Sequence, residues 1–116
     1  MIEILEIKRM FIQATIFSRT WKNLGFDDED LRRLELELLR NPKVGEVMKG
    51  TGRLRKIRFA FQNQGKSGSV RVCYVDFEEK EILYLFAVFA KNEQENLSPA
   101  ERNILKKKIE ILKKNL

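Results

Sequence analysis

Residues 54–61 read LRKIRFAF and residues 70–77 read VRVCYVDF, joined by the polar, glycine-containing segment QNQGKSGS at 62–69. In the first stretch Ile57, Phe59 and Phe61 alternate with Lys56, Arg58 and Ala60, a period of two that predicts a strand with one apolar and one cationic face. The second stretch is a strand of the same length, so the two predict an antiparallel hairpin. Glu79-Lys80 marks a further turn, and residues 82–89 are almost all apolar, the pattern of a central strand covered on both faces. Three consecutive antiparallel strands follow from the short connections.

On either side of this unit the periodicity is helical. Asp27, with Asp30 three residues later, predicts an N-cap, and Phe26 is placed to staple onto Leu31. Leu31, Leu34, Leu38 and Leu39 then form one apolar face up to Asn41-Pro42. A shorter helix with Thr15 as N-cap carries Ile16, Phe17, Trp21 and Leu24 and stops at Gly25. A short strand over 10–14 precedes it, and residues 43–52 read as an ordered loop. At the other end Ser98, Pro99 and Glu101 make a capping box for a helix whose stripe is Leu105, Ile109, Leu112 and Leu116. The prediction is one α+β domain over 1–116, with 1–9 as a weakly patterned lead-in: an N-terminal strand and three consecutive antiparallel strands in a small antiparallel or mixed sheet, packed with two helices from the N-terminal half and one C-terminal helix.

Charge is segregated along this chain. The net charge is +6, yet residues 1–46 sum to −1 and residues 76–116 to zero. All the excess lies in 47–75, which holds Lys49, Arg53, Arg55, Lys56, Arg58, Lys66 and Arg71 and no carboxylate. Such a segment predicts a surface built for anions, RNA or DNA among them.

Composition narrows the chemistry. There is no histidine, which removes His-dependent acid–base and nucleophile systems and most zinc chemistry. The single cysteine, Cys73, forbids an internal disulfide and, among Val and Tyr neighbours, reads as a buried thiol. Gly65-Lys66-Ser67 lacks the upstream glycine of a phosphate-binding loop. No apolar run approaches the roughly 20 residues needed to cross a bilayer, and no secretion signal is apparent, so the expected location is the cytoplasm, without membrane association. No metal site and no cofactor are expected.

Lysines and arginines without histidine suit one reaction: cleavage of RNA by its own 2′-hydroxyl, where the protein positions the substrate, moves protons and stabilises phosphate charge. Arginine matches phosphate oxygens and stays protonated. A lysine acts as base only where like charges lower its pKa, and Arg55, Arg58 and Arg71 are candidates to crowd Lys56 in that way. The same cations would also serve a module that only binds.

Asn41-Pro42-Lys43-Val44-Gly45, the run from Gly50 to Arg58, Gly65-Lys66-Ser67-Gly68, Arg71-Val72, Lys91-Asn92-Glu93 and Asn96-Leu97 together give the chain its family character. It resembles the RelE/HigB family of toxins from type II toxin–antitoxin systems, in particular the HigB-like branch, over roughly residues 11–108. The resemblance implies a RelE-like fold and a cytoplasmic ribonuclease that enters the ribosomal A site and cuts translated mRNA. It implies a cognate antitoxin, locally acidic and DNA-binding, through which alone the complex would reach operator DNA. By position it implies catalytic roles for Lys56, Arg58, Lys66 and Arg71, with Lys56 or Lys66 moving the proton and Arg58 and Arg71 clamping phosphate. Arg53, Arg55, Lys91 and Phe89 would bind RNA. The chain departs from the family pattern at Arg53, at Gly68-Ser69 and at Phe89, where tyrosine is common. The competing readings are a non-catalytic RNA- or ribosome-binding module and a RelE-fold toxin acting on a protein such as gyrase.

Overall fold

The structure, a computed structural model, describes residues 7–60, 69–90 and 97–116. Strands β1 (Met10–Gln13), β2 (Glu46–Val47), β3 (Leu54–Ala60), β4 (Ser69–Phe77) and β5 (Ile82–Ala90) form a mixed sheet in the order β1-β5-β4-β3-β2. β1 runs parallel to β5, and the other neighbours are antiparallel. Helices α1 (Thr15–Asn23) and α2 (Asp28–Arg40) pack on one face, and α3 (Pro99–Lys114) packs on the other. The expected α+β architecture is the one observed.

Alternation along the central strands divides two cores. Phe59, Val70, Val72, Tyr74, Leu83, Leu85 and Val88 meet Phe17, Trp21, Phe26, Leu34 and Leu38 from α1 and α2. Leu54, Cys73, Val75 and Phe77 meet Ile109 of α3 on the reverse. Burying apolar area on both faces, at roughly 25 cal/mol per Å2, is the main force holding the three layers together. A register shift at Cys73/Tyr74 puts one extra residue in β5, so both Phe86 and Ala87 pack toward the α3 side.

The predicted caps of α2 and α3 are present. Asp27 accepts from the Asp30 backbone N–H at 2.9 Å while the Asp30 carboxylate accepts from the Asp27 N–H, and Ser98 and Glu101 are reciprocally bonded in the same way. Gly25 takes the left-handed conformation, φ 93°, that ends α1. Thr15 is not an N-cap: Ala14 holds that position without a side-chain bond, because its N–H is drawn to the Leu85 carbonyl at the end of β1 and the helix starts on the next residue.

Two features depart from the sequence reading. The loop expected over 43–52 contains β2, whose two residues are too few to show a period. The lead-in over 1–9 ends in Arg9, whose guanidinium bonds the buried Asp76 carboxylate at 2.7 and 3.3 Å and so ties the chain before β1 to the end of β4. Among the described residues no helix is long and apolar enough to cross a membrane.

Candidate nucleic-acid interface

The strand register assembles the site in two rows across the α3-side face of the sheet. In the first, Arg58 of β3 lies directly opposite Arg71 of β4, and Arg71 lies directly opposite Phe89 of β5. In the second, Glu46 of β2 is opposite Lys56, Lys56 is opposite Cys73, and Cys73 is opposite Ala87. Residues from three strands, spread over 31 positions of the chain in the first row, thus become neighbours through pairing alone.

Glu46, Lys56, Ile57, Arg58 and Arg71 line a cleft of about 280 Å3. Arg58 is exposed, whereas Arg71 is only 5% exposed and donates to Ser69 Oγ at 3.4 Å. Like charges directly opposite each other on neighbouring strands oppose pairing, and an anion between them reverses the sign of that interaction. Phe89 packs partly buried against the α3-side core, beside Arg71 and partly open to solvent. A cationic pair flanked by an aromatic ring is the combination that takes a phosphate and its adjoining base.

Below the second row, burial pushes the Cys73 thiol up to about 11, opposed by the Lys56 ammonium. Cys73 is therefore a protonated, packed side chain at neutral pH, with Sγ 3.9 Å from the Met48 sulfur. Among the described residues no group of three Cys, Asp or Glu side chains converges as a metal ion requires.

Not every candidate cation reaches this face. Arg55 is opposite Tyr74 on the α1/α2 side and donates to the carbonyls of Lys43, at 3.2 Å, and Gly45, at 2.6 Å. It cannot crowd Lys56 from there; alternation places it with Ile57 and Phe59. Arg53 lies at the far end of β3, held by Glu79 at 2.8 and 3.0 Å and by the Asp76 carbonyl, with its guanidinium over the Phe77 ring. The Arg53 guanidinium holds the Glu79 carboxyl down at about 2. The acid-free segment is thus paired in part by a carboxylate from outside it. Lys66 and Lys91 lie outside the described residues.

Glu46 is the residue that sequence reasoning passed over. It lies one position before the acid-free window, in a strand without a readable period, and only the pairing of β2 with β3 brings it to Lys56. Its place is set by Tyr74, whose buried hydroxyl accepts from the Gly45 N–H and donates to the Pro42 carbonyl, each at 2.8 Å. A Cβ at Gly45 would lie 2.8 Å from the Tyr74 ring and 2.9 Å from Ile57, so only glycine allows that approach.

A wider groove of about 500 Å3 opens at the opposite end of the sheet. Its cations are already committed, Arg9 to Asp76 and Lys43 to Glu78 at 3.0 Å, and Glu81 adds a third carboxylate, which makes it a poor host for phosphate.

Comparison with known proteins agrees with this geometry. An arginine-to-alanine double mutant of the E. coli toxin RelE in the free state superposes with a TM-score of 0.57 at 18% identity, covering 76% of this chain and 88% of that one. The E. coli RelBE toxin–antitoxin complex matches with a TM-score of 0.53 at 17% identity, over 73% of this chain and 99% of that one. The isolated E. coli RelE toxin gives 0.53 at 17% identity, over 93% and 99%. At these identities the likeness is one of fold. A family model described as the RelE toxin of the RelE/RelB toxin–antitoxin system matches residues 8–115, almost the full length. The chain therefore belongs to the RelE toxin family.

Proposed function

We propose that this toxin is a ribosome-dependent mRNA endonuclease that inhibits translation in the cytoplasm. In this reading it enters the ribosomal A site and cuts the message with the substrate's own 2′-hydroxyl as nucleophile. The observation that carries the reading is the row Arg58, Arg71 and Phe89: two directly opposed guanidiniums beside a partly open ring. Arg58 and Arg71 hold the scissile phosphate and stabilise the added negative charge of its pentacoordinate transition state, while Phe89 stacks on a neighbouring base. Lys56 in the adjoining row, or Lys66, moves a proton, and Lys91 adds a cation along the RNA. Arg53 and Arg55 serve the fold instead, since both guanidiniums are committed to protein acceptors.

The partner in this reading is a cognate antitoxin, locally acidic and DNA-binding, whose complex with the toxin would act on operator DNA. The likeness to the E. coli RelBE toxin–antitoxin complex supports it, as does the +6 charge of this chain.

Primer extension on a defined mRNA, with and without programmed ribosomes and with EDTA in the ribosome-free arm, tests the proposal. Cuts within A-site codons that appear only with ribosomes are expected, and Arg58→Ala or Arg71→Ala should lower the cleavage rate by about two orders of magnitude. Tight, salt-sensitive ribosome binding without new RNA ends would replace this reading with a module that only binds. Continued translation with a block of DNA supercoiling would point to a gyrase-type target.

A further inference from the structure

The reaction needs a proton acceptor at the attacking 2′-hydroxyl, and lysine is a poor one at neutral pH because an ammonium ordinarily keeps its proton. A carboxylate is ordinarily ionised there and needs no such adjustment. Glu46 supplies the one carboxylate lining the cleft among the described residues, directly across the β2–β3 pair from Lys56. We infer that Glu46 is the general base of the cleavage and Lys56 the general acid, an assignment that rests on the nuclease reading above.

The step balances with these two groups. The Glu46 carboxylate takes the 2′-hydroxyl proton, and the freed oxygen forms a bond to phosphorus. The bond from phosphorus to the 5′-oxygen breaks, and the Lys56 ammonium gives a proton to that departing oxygen. The products are a 2′,3′-cyclic phosphate and a 5′-hydroxyl, with no change of oxidation state. Glu46 ends protonated and Lys56 ends as an amine. Because they face each other across one strand pair, a single proton passed from Glu46 to Lys56, directly or through solvent, restores both. Lys56 and Arg58 from β3 and Arg71 from β4 are the charged groups that face Glu46, so it carries out proton transfer among cations that hold the phosphate close.

Glu46 is exposed on a two-residue edge strand, so its replacement leaves both cores intact. The test is single-turnover cleavage on programmed ribosomes. Glu46→Gln is expected to lower the cleavage rate about a hundredfold or more with KM within about threefold, and Glu46→Asp to recover part of the loss. Glu46→Ala should regain activity with added formate but not with chloride at equal ionic strength. A message with sulfur in place of the scissile 5′-oxygen, whose leaving group needs no proton, should restore Lys56→Ala and leave Glu46→Gln impaired. Cleavage by Glu46→Gln within about threefold of wild type overturns the assignment while leaving the nuclease intact. A raised KM without formate rescue also overturns it, making Glu46 a binding group. If the wild-type protein cuts nothing, the nuclease reading and this assignment fall together.

Discussion

At the scale of single residues, the site depends on contacts made behind it. Tyr74 is fully buried, and its hydroxyl satisfies both the Gly45 N–H and the Pro42 carbonyl, which fixes the chain entering β2. Arg55 closes the same turn from the sheet side through the carbonyls of Lys43 and Gly45. Removing the hydroxyl leaves two polar backbone groups short of a buried partner, each worth about 1–3 kcal/mol. Tyr74→Phe is therefore expected to lower unfolding stability by roughly 2 kcal/mol in a denaturant titration. It should also lower cleavage, because Glu46 follows Gly45 directly, whereas Cys73→Ala should leave cleavage near wild type. Charge alone groups Arg55 with Lys56, although the alternation of the strand separates neighbours onto opposite faces. Read strictly by that alternation, β3 sends Arg55 to the Tyr74 side, where it is found.

At the scale of elements, the strongest local signals are the helix starts. The capping boxes at Asp27 and Ser98 are legible because they depend on residues three apart and on no distant partner. Ser98→Ala removes the acceptor of the Glu101 N–H at the start of α3 and should cost about 1 kcal/mol. Thermal melts followed by circular dichroism would register it. The loss should be felt in the α3-side core, since Ile109 is the buried anchor of α3 against Leu54, Val75 and Phe77. Arg102 reinforces the same end of the helix by donating to the Leu97 and Lys49 carbonyls, which joins α3 to the turn after β2. The left-handed glycines of that turn, Gly50 and Gly52, pass close over Arg102 and Lys106, so β2, the turn and α3 hold one another in place. Strand β2 itself is illegible in the sequence: two residues carry no period, and its pairing with β3 depends on the Tyr74 clamp from another strand.

At the scale of the whole molecule, charge separates into an anion-binding end of the sheet and an end where ion pairs are closed. Phosphate added to the purified protein should bind between Arg58 and Arg71 and raise Tm, since a ligand at about ten times its Kd adds about 1.4 kcal/mol of stability. Differential scanning calorimetry should show that increment in wild type and lose it in Arg71→Ala. At the opposite end, Glu79 is held at about 2 against an ordinary 4.5 by the Arg53 guanidinium. Its contribution is present above the ordinary carboxylate range and is lost as pH falls from about 4.5 toward about 2. The Tm difference between wild type and Arg53→Ala should therefore shrink across that window, and high salt should shrink it too, because the pair is about a third exposed. What the sequence by itself determined is local or additive: the strand alternation, the capped helices, the α+β order, and the confinement of excess positive charge to residues 47–75. What only the tertiary structure decided is which of those charges meet. The register sets Arg58, Arg71 and Phe89 in one row, brings Glu46 to Lys56 from outside the basic segment, and sends Arg53 and Arg55 to structural partners. The physical reason is that a strand's pattern reveals which face a residue takes, while its neighbour on that face comes from another strand whose pairing is fixed by packing across the entire sheet.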